Sequence, residues 1–534
     1  MEFQVIFKTS RRVTIELLNC GIYHTDQPYD IYLDGEKVMT SQKVIQTING
    51  LKPGTAYRLE VRMPKAGSSA SSAEAGSSAG DTASAEIRTD YEYVTLNVKK
   101  FGARGDGVHD DTVSIQAAIS CCPKDSRVYL PKGIYKVSSL FLKSDITIDL
   151  AEGAVISAYT DRDKFPILPG LIESYDEKDE YNLGTWEGNP LEMFGSIITG
   201  VNVQNVVITG QGVLEGNASY ENWWKGEGRE KIGGAYRPRM IFLNHCENIT
   251  VQGITVQNSP AWNLHPYFSN NTRWIDLQVI NPKISPNTDG MDPESVDGLL
   301  VAGVYFSLGD DCIAMKSGKF YMGNKYKTPS QNIEIRQCYM RHGHGSVTMG
   351  SEIAAGVRHM VVKDCIFEDT DRGLRVKTRR GRGNDSVVDD ILFENIKMDG
   401  VLTPFVVNSY YWCCDPDGRS EYVKNKEALP VDKRTPFIKK LTFKNIEAHN
   451  CHVAGSFIYG LPEAKIEDVT FDQVTVDFVE DPTPEYPAMM ADVEPCTKKG
   501  IYINNVKRLT MKNVTVTGAD GKDIEIVHVD ELIQ

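Results

Sequence analysis

The chain has 534 residues, of which 41% are hydrophobic and 24% are charged, and its formal net charge is −14 at pH 7. This length allows a large core and favours more than one domain. An acidic protein repels nucleic acid and anionic membranes, which argues against both as partners, and no apolar run reaches the roughly 20 residues that span a bilayer.

Residues 1–92 are predicted to form a small β-sandwich, because short alternating segments such as residues 29–33 are separated by turn residues. The stretch 50–57, Gly-Leu-Lys-Pro-Gly-Thr-Ala-Tyr, resembles the turn and strand of a fibronectin type III domain, whose tyrosine packs back on the corner. The Ala/Ser/Gly-rich stretch near 66–85 cannot bury enough surface to order itself, so a flexible, disordered loop is expected before the last strand.

Residues 93–534 are predicted to form a parallel β-helix. Asp111 is placed to cap a short helix over residues 112–120, which would close one end of the solenoid core. Beyond it, short β-rich segments recur without long helical patterns, as in a solenoid with one coil per repeat. Three insertions interrupt the repeat and are expected to form loops that build a binding cleft: residues 160–195, 410–435 and 478–500.

Three carboxylates are candidates for a catalytic site. The motif Asn287-Thr288-Asp289 precedes the tetrad Gly309-Asp310-Asp311-Cys312. Asp289 and Asp310 are 21 residues apart, close to one coil, which in stacked strands is a step of roughly 4.8 Å. If Asp289, Asp310 and Asp311 face one cleft, they supply the protonated carboxyl and the ionised carboxylate that glycoside hydrolysis needs. Crowding pushes their pKa values apart, which divides the roles. Taken singly, each motif is more often a turn or a solvated corner.

Two further motifs follow in the chain. Gly343-His344-Gly345 lies about one coil further on, and Arg375-Val376-Lys377 places two cations on one face of a strand. A lone histidine or a charged strand is usually structural. In so acidic a chain, however, a concentrated basic patch favours capture of a carboxylate-bearing sugar.

These four motifs, in this order and spacing, resemble the polygalacturonase family (glycoside hydrolase family 28), and with the N-terminal domain they resemble its bacterial exo-acting branch. The resemblance covers about residues 95–520 and includes Phe101-Gly102-Ala103-Arg104-Gly105-Asp106-Gly107, Asn258-Ser259-Pro260 and His265. It implies an all-β protein with a right-handed parallel β-helix. It also implies an inverting hydrolysis of α-1,4-linked galacturonic acid without metal or cofactor.

The resemblance also implies roles for individual residues. Asp310 would be the general acid, and Asp289 and Asp311 would activate the water. His344 would support the protonation and geometry of Asp310. The residues that would bind substrate are Asn287, Arg375, Lys377, Tyr411 and His265, with Tyr410 nearly equivalent to Tyr411.

The expected partner is an anionic galacturonan, attacked from a chain end because the insertions would close the cleft. No signal peptide is evident and no CxxC pair occurs among the eleven cysteines, which favours free thiols and a cytoplasmic enzyme. A signal removed from the chain would instead place it in the periplasm or outside the cell. The alternatives are an endo-polygalacturonase, a rhamnogalacturonan or xylogalacturonan hydrolase, a calcium-dependent pectate lyase, and a non-catalytic carbohydrate-binding β-helix.

Overall fold

The structure, a computed structural model, describes residues 1–64, 81–174, 180–228, 231, 234–413 and 419–534. Its N-terminal part has two antiparallel sheets that share one hydrophobic cluster. The first sheet consists of Glu2–Lys8, Val13–Leu18 and Ile45–Ile48. The second consists of Gly21–Ile22, His24–Leu33, Glu36–Lys43, Ala56–Met63 and Asp81–Arg88.

The corner of this domain has the fibronectin-like contact expected from the sequence, because the Lys52 N–H donates to Tyr57 Oη at 2.9 Å. The flexible loop predicted near 66–85 is wrong at its end. Residues 81–85 belong to the strand Asp81–Arg88, whose backbone pairs antiparallel with Ala56–Met63 and so needs no large side chains to be ordered. The rest of the predicted loop, residues 66–80, lies outside the described residues.

From Thr95 onward the chain forms the predicted parallel β-helix, with strands stacked coil on coil in three ladders. Ladder A consists of Thr95–Asn97, Ser126–Leu130, Ile146–Leu150, Gln204–Gly210, Glu247–Gln252, Asn270–Ile275, Asp297–Ala302 and Ser330–Arg336. Ladder B consists of Asp106–Asp110, Gly133–Val137, Ala154–Ala158, Val213–Glu215, Thr255–Gln257, Gln278–Ile280, Tyr305–Leu308 and Tyr339–His342. Ladder C consists of Leu140–Phe141, Ile198–Val201, Ile241–Asn244, Leu264–Tyr267, Ile313–Met315, Val347–Gly350, Arg372–Lys377, Thr403–Asn408 and Ala454–Tyr459.

Later coils use longer strands that pass from one ladder to the next. Four continue from ladder A into ladder B: Val357–Glu368, Val387–Asp399, Lys440–Cys451 and Ile466–Phe478. Lys499–Thr517 runs through all three ladders, and Ile524–Ile533 pairs with it at the last coil. Inward side chains from every coil merge into one continuous hydrophobic core. Nine of the described cysteines are free thiols, and six of these nine are buried.

The remaining elements are short. The α-helices are Thr112–Cys121, Phe320–Tyr326 and Glu421–Lys424, and the 3-10 turns are Val98–Phe101, Arg162–Lys164 and Lys225–Gly228. The short strands outside the ladders are Ile167–Leu168, Ile172–Glu173, Glu180–Tyr181 and Met193–Phe194, whereas Phe437–Ile438 pairs in parallel with Val387–Asp399 in ladder A. Among the described residues, no helix combines the length and apolar character needed to cross a membrane.

The first helix confirms the prediction over 112–120 and buries Ile115 and Ile119 in the core. The predicted cap is wrong. Asp111 stands at the N-cap position, but its carboxylate accepts from the Arg104 and Gly105 N–H groups, at 2.6 and 2.9 Å. The Asp111 carboxylate therefore holds the preceding turn and does not cap the helix, whose first N–H, of Thr112, donates to Asp110 Oδ1 at 3.0 Å.

Buried polar contacts join the N-terminal domain to ladder A. Arg336 at the end of one ladder A strand donates to both oxygens of Glu16, at 2.9 and 3.0 Å. Arg12 donates to Asp149 at 2.8 Å. No described residue of 1–92 lines the cleft on ladder C. The domain therefore braces the outer face of the solenoid and is not a wall of the cleft.

Candidate active site

The predicted catalytic carboxylates lie where ladder C strands begin. Met291 pairs with Ile313 on the next coil, so two positions earlier Asp289 is in register with Asp311. The sequence spacing instead predicts that Asp289 is in register with Asp310. Asp310 lies in the turn one residue before the row, and this turn lets both tetrad carboxylates point toward the same site.

The three carboxylates converge as the sequence predicted. One oxygen from each of Asp289, Asp310 and Asp311 lies within 4.8 Å of the other two. Asp310 Oδ1 accepts from the Asp311 N–H at 2.8 Å and lies 3.1 Å from His344 Nδ1. The histidine is thus in direct contact with the carboxylate to which the sequence assigned it.

Arg375 and Lys377 enclose Asp311. Lys377 Nζ donates to Asp311 Oδ2 at 2.6 Å, and Arg375 Nη1 donates to Oδ1 at 3.2 Å. Asp311 has no solvent exposure, so its charge is balanced within the protein. The three aspartates are close enough to hold a cation. However, protein cations already occupy both oxygens of Asp311 and one of Asp310, and they neutralise most of this donor set.

The two glycines beside His344 allow the backbone to approach the carboxylates. A Cβ on Gly343, whose φ is +89°, would lie 2.3 Å from the Asp310 carbonyl oxygen. A Cβ on Gly345 would lie 2.7 Å from Asp311 Oδ1. Any larger residue at either position would displace a catalytic candidate, which explains the Gly-His-Gly sequence in physical terms.

The local charges separate the three carboxyl groups. Burial raises the pKa of Asp289 well above its usual range, and repulsion from Asp292 and Asp310 adds to the effect. Burial acts to raise the pKa of Asp311 too, but Lys377 and Arg375 outweigh it and lower that pKa. In the free site Asp289 therefore holds a proton more readily than Asp311 does.

Asp310 and His344 form an ion pair. Burial acts to raise the pKa of Asp310, but the charge of His344 and its hydrogen bond outweigh burial, so this pKa lies below its usual range. The charge of Asp310 raises the pKa of His344 to about 9. The pair therefore carries one proton, held on the imidazole, across the neutral pH range.

A cleft of about 590 Å³ lies over these groups. The sequence-predicted residues that line it are Asn287, Asp289, Asp310, His344, Arg375, Lys377 and Tyr411. Asp311 lies behind this surface, under Arg375 and Lys377. Asn287 adopts a left-handed backbone conformation with φ of +53°, and Arg237 Nη2 donates to its Oδ1 at 2.9 Å.

The structure distinguishes the two tyrosines. Lys377 Nζ lies 5.5 Å from the centre of the Tyr411 ring, within the cleft. Tyr410 is buried in a separate cluster with Phe457 and packs under Lys426, whose Nζ is 4.2 Å from its ring centre. Of these two residues, Tyr411 is therefore the one that faces the cleft.

His265 does not line the cleft, so the prediction that it binds substrate is wrong. Its side chain is fully buried, its Nε2 lies 3.2 Å from Glu294 Oε2, and its ring packs edge-on against Trp262 at 5.0 Å. Burial lowers the pKa of His265 well below its usual value. Trp262 and the insertion stacked on it cover the part of the ladder C row in which His265 lies.

Part of the cleft was not predicted. Trp186, from the first insertion, stacks on Tyr236 at 4.7 Å and on Trp262 at 6.4 Å between ring centres. Lys316 Nζ donates to Glu352 Oε2 at 2.8 Å at the cleft surface. Lys316 could have been predicted by aligning successive coils, because it occupies the same row as Lys377. No local sequence pattern predicts that Trp186 lies in the cleft.

The first insertion is fastened to the solenoid. Arg239 donates to the Thr185 carbonyl at 3.0 Å, and its guanidinium lies between Trp186 and Trp262, 4.8 and 4.9 Å from their ring centres. The Lys319 N–H donates to the Gly188 carbonyl at 3.0 Å. Trp186 therefore forms a fixed wall over the coil that precedes Asp289.

A parallel β-helix whose cleft joins paired carboxylates, a charged histidine and two cations is the architecture of a glycoside-cleaving enzyme. The sequence model of glycosyl hydrolases family 28 matches residues 176–485, more than half of the chain. The chain belongs to glycosyl hydrolase family 28. A second model, of the rhamnogalacturonase A/epimerase, pectate lyase-like type, matches residues 95–153.

Individual relatives and solved structures agree with this assignment. A probable polygalacturonase of Vitis vinifera is 28% identical over 70% of this chain and 73% of its own length. An exo-poly-α-D-galacturonosidase of Dickeya chrysanthemi is 25% identical over 71% of this chain and 66% of its own length. The family 28 exopolygalacturonase of Yersinia enterocolitica superposes with a TM-score of 0.71 at 19% identity, covering 99% of this chain and 98% of that one. The last likeness establishes the fold.

Proposed function

We propose that this protein hydrolyses α-1,4-linked galacturonan from a chain end, by attack of water with inversion at the anomeric carbon. The convergence of Asp289, Asp310 and Asp311 beside Arg375 and Lys377 carries the proposal. An acid/base centre next to fixed cations suits a glycosidic bond between sugars that bear carboxylates. The Vitis and Dickeya relatives, a probable polygalacturonase and an exo-poly-α-D-galacturonosidase, support the same substrate.

Asp310 is the general acid in this proposal, and His344 stores its proton. In the free site the proton lies on His344, 3.1 Å from Asp310 Oδ1. Bound sugar excludes water, which penalises a separated ion pair and favours the neutral pair, so the proton moves to Asp310. Asp310 then protonates the glycosidic oxygen as the bond to the anomeric carbon breaks.

Water is the attacking group because neither remaining carboxylate is suited to direct attack. Asp311 is ionised, but Arg375 and Lys377 separate it from the cleft. Asp289 faces the cleft, but its raised pKa makes it a poor nucleophile. We assign Asp289, which lines the cleft, to orient the water and accept its proton as it passes its own proton to the ionised Asp311, an oxygen of which lies within 4.8 Å.

The short separation of the carboxylates makes the stereochemistry a direct test. A spacing near 5 Å is more typical of retaining glycosidases. Inversion is expected despite this spacing, because Arg375 and Lys377 prevent Asp311 from attacking the sugar directly. Proton NMR of the first product released would show the β-anomer if water attacks directly, and the α-anomer would refute this part of the mechanism.

Arg375 and Lys377 are assigned to the substrate carboxylate at the cleavage point, with Asn287 and Tyr411 positioning the sugar. Both cations reach the cleft surface while still bonded to Asp311. A guanidinium offers a planar two-donor face to a carboxylate, and the lysine adds a point charge. Neutral sugars lack the group that would engage this pair.

Attack from a chain end is supported by the insertions. Trp186 covers the coil before Asp289, while Tyr411 and Met489 from the second and third insertions form the side of the cleft beyond Arg375. A cleft closed at one end admits a terminus more readily than the middle of a polymer.

Digestion of a long, unlabelled oligogalacturonide, with all products separated by size, tests both substrate and mode. Monomer or dimer from the first minutes is expected; a ladder of intermediate sizes would indicate an endo-acting enzyme. Products absorbing in the ultraviolet and loss of activity with a chelator would instead indicate a lyase. Parallel digests of rhamnogalacturonan and xylogalacturonan separate the remaining hydrolase alternatives.

A further inference from the structure

We propose that a second cavity beside the catalytic cleft binds the next uronate unit of the substrate, with Arg372 as the receptor for its carboxylate. The inference rests on the proposed function, since it requires a substrate with a carboxylate on each sugar. None of the residues predicted from the family motifs belongs to this cavity alone.

The cavity has a volume of about 720 Å³ and is continuous with the catalytic cleft, because His344, Arg375 and Met489 line both. A volume of this size suits a small organic ligand. When Arg375 and Lys377 hold one sugar unit, the next unit of the chain on that side therefore lies at the mouth of this cavity.

Arg372 stands in the row of ladder C that carries the catalytic aspartates. Leu374 pairs with Val347, and Val347 pairs with Ile313, so Arg372 lies two coils beyond Asp311. Two coils correspond to about 10 Å. The intervening residue in this row is Gly345, which has no side chain to obstruct a ligand. At that separation Arg372 faces a different sugar unit from the one at the cleavage point.

Two carboxylates of the cavity lining, Asp371 and Glu485, act on the charge of Arg372 from a distance, but neither pairs with it directly. The whole Arg372 residue is 6% exposed, and its guanidinium donates to two backbone carbonyls, of Asp371 at 2.8 Å and of Tyr486 at 2.5 Å. Within the part of the chain that the structure describes, no carboxylate oxygen lies within 4 Å of it. By contrast, the buried Arg375 pairs with Asp311 and the buried Arg380 with Glu463.

A buried cation without a counter-ion is costly, and an anionic ligand would remove the cost. Burial lowers the pKa of Arg372 to about 10, consistent with incomplete compensation. Arg372 still carries its charge at neutral pH. Three of its five N–H donors are not used by the two carbonyl bonds, which leaves a set able to meet a carboxylate.

The walls of the cavity are fixed. The Met489 carbonyl accepts from Asn408 Nδ2 at 2.8 Å and from the Trp412 N–H at 3.2 Å, which ties the third insertion to the second and to ladder C. The Arg419 guanidinium lies 4.5 Å from the Trp412 ring centre at the rim. The apolar sides, from Leu402, Trp412 and Met490, suit the carbon face of a sugar.

The test uses trigalacturonide and three derivatives, each with one carboxyl group reduced to a primary alcohol at a different position. Wild-type protein should lose about tenfold or more in kcat/KM for the derivative whose neutral unit falls in the cavity, the loss expected for one charged hydrogen-bonded contact. Arg372→Met should lose a similar factor on unmodified trisaccharide. It should show less than a twofold difference between that trisaccharide and the same derivative.

Arg372→Lys keeps a charge and should restore part of the discrimination, which separates carboxylate binding from the bond to the Tyr486 carbonyl. The matched control is Arg508→Met, an exposed arginine paired with Glu531 on the last coil, which should behave as wild type. A purely structural role for Arg372 would slow all four substrates equally in Arg372→Met.

Equal slowing in Arg372→Met, or unchanged discrimination at every position, would overturn the second subsite while leaving the proposed function intact. Failure of the wild type to cleave unmodified trigalacturonide would overturn the proposed function itself, and the subsite with it. A circular dichroism melt of each variant identifies misfolding, and in that case Arg372→Lys decides between the outcomes.

Discussion

Replacing Asp310 by asparagine tests the proton store most directly. The His344 pKa of about 9 arises first from the charge of Asp310 and then from its hydrogen bond. Asparagine keeps the size and removes the charge, so the pKa of His344 should fall from about 9 toward its ordinary 6.5. Loss of a general acid should lower kcat by about 10²- to 10⁴-fold. The Kd for trigalacturonide should change little, because no cation that binds the substrate has been removed.

NMR titration of the histidine ring protons in wild type and Asp310→Asn measures the pKa, and stopped assays with reducing-sugar detection measure kcat. Asp371→Asn is the control for the pKa, since Asp371 also raises it but ranks below burial among the contributions. That control should leave the His344 pKa near 9. An unchanged His344 pKa in Asp310→Asn, or a kcat within tenfold of wild type, would show that His344 does not hold the proton that Asp310 delivers.

Three other changes have distinct expected signatures. His344→Gln removes the group that holds the proton up to pH 9, so the alkaline limb of the kcat profile should move to lower pH; an unmoved limb would contradict the proton store. Lys377→Met leaves Arg375 as the only cation bonded to Asp311. A lower Tm and a KM for trigalacturonide raised about tenfold or more are expected. An unchanged KM would show that Lys377 does not bind substrate. Arg336→Met leaves the buried Glu16 at the domain contact without its arginine partner. The free energy of unfolding in urea should fall by about 3–5 kcal/mol while kcat stays unchanged. An altered kcat would show that the domain contact affects the active site.

The fold could be predicted from the sequence because a solenoid repeats a local rule. Each coil has inward apolar residues at every second position. Segments such as Ile249-Thr250-Val251 and Ile333-Glu334-Ile335, which lie in ladder A, therefore indicate strands without knowledge of distant contacts. The repeat also placed Asp289 near the tetrad. It could not fix the register, because the turn between ladders holds a variable number of residues, and Asp311 rather than Asp310 proved to be in line with Asp289.

Contacts made by the insertions could not be predicted. His265 and Arg375 belong to the same outward row of ladder C, and only Arg375 reaches the cleft. The difference comes from Trp186, some 80 residues before His265 in the sequence, which stacks on Trp262 and helps to close that part of the row. No periodic pattern carries this information, because the insertion lies outside the repeat.

The stacked rows also explain how equivalent positions acquire different chemistry. Asp289 and Asp311 occupy the same place on successive coils, yet burial and its acidic neighbours leave Asp289 inclined to hold a proton, while Lys377 and Arg375 keep Asp311 ionised. The cations stand on later coils of the same ladder, so distance along the solenoid axis sets how strongly each carboxylate feels them. A single ladder thus supplies a proton holder, an ionised base and a carboxylate receptor in sequence, and the same axial order puts Arg372 where the next uronate would lie.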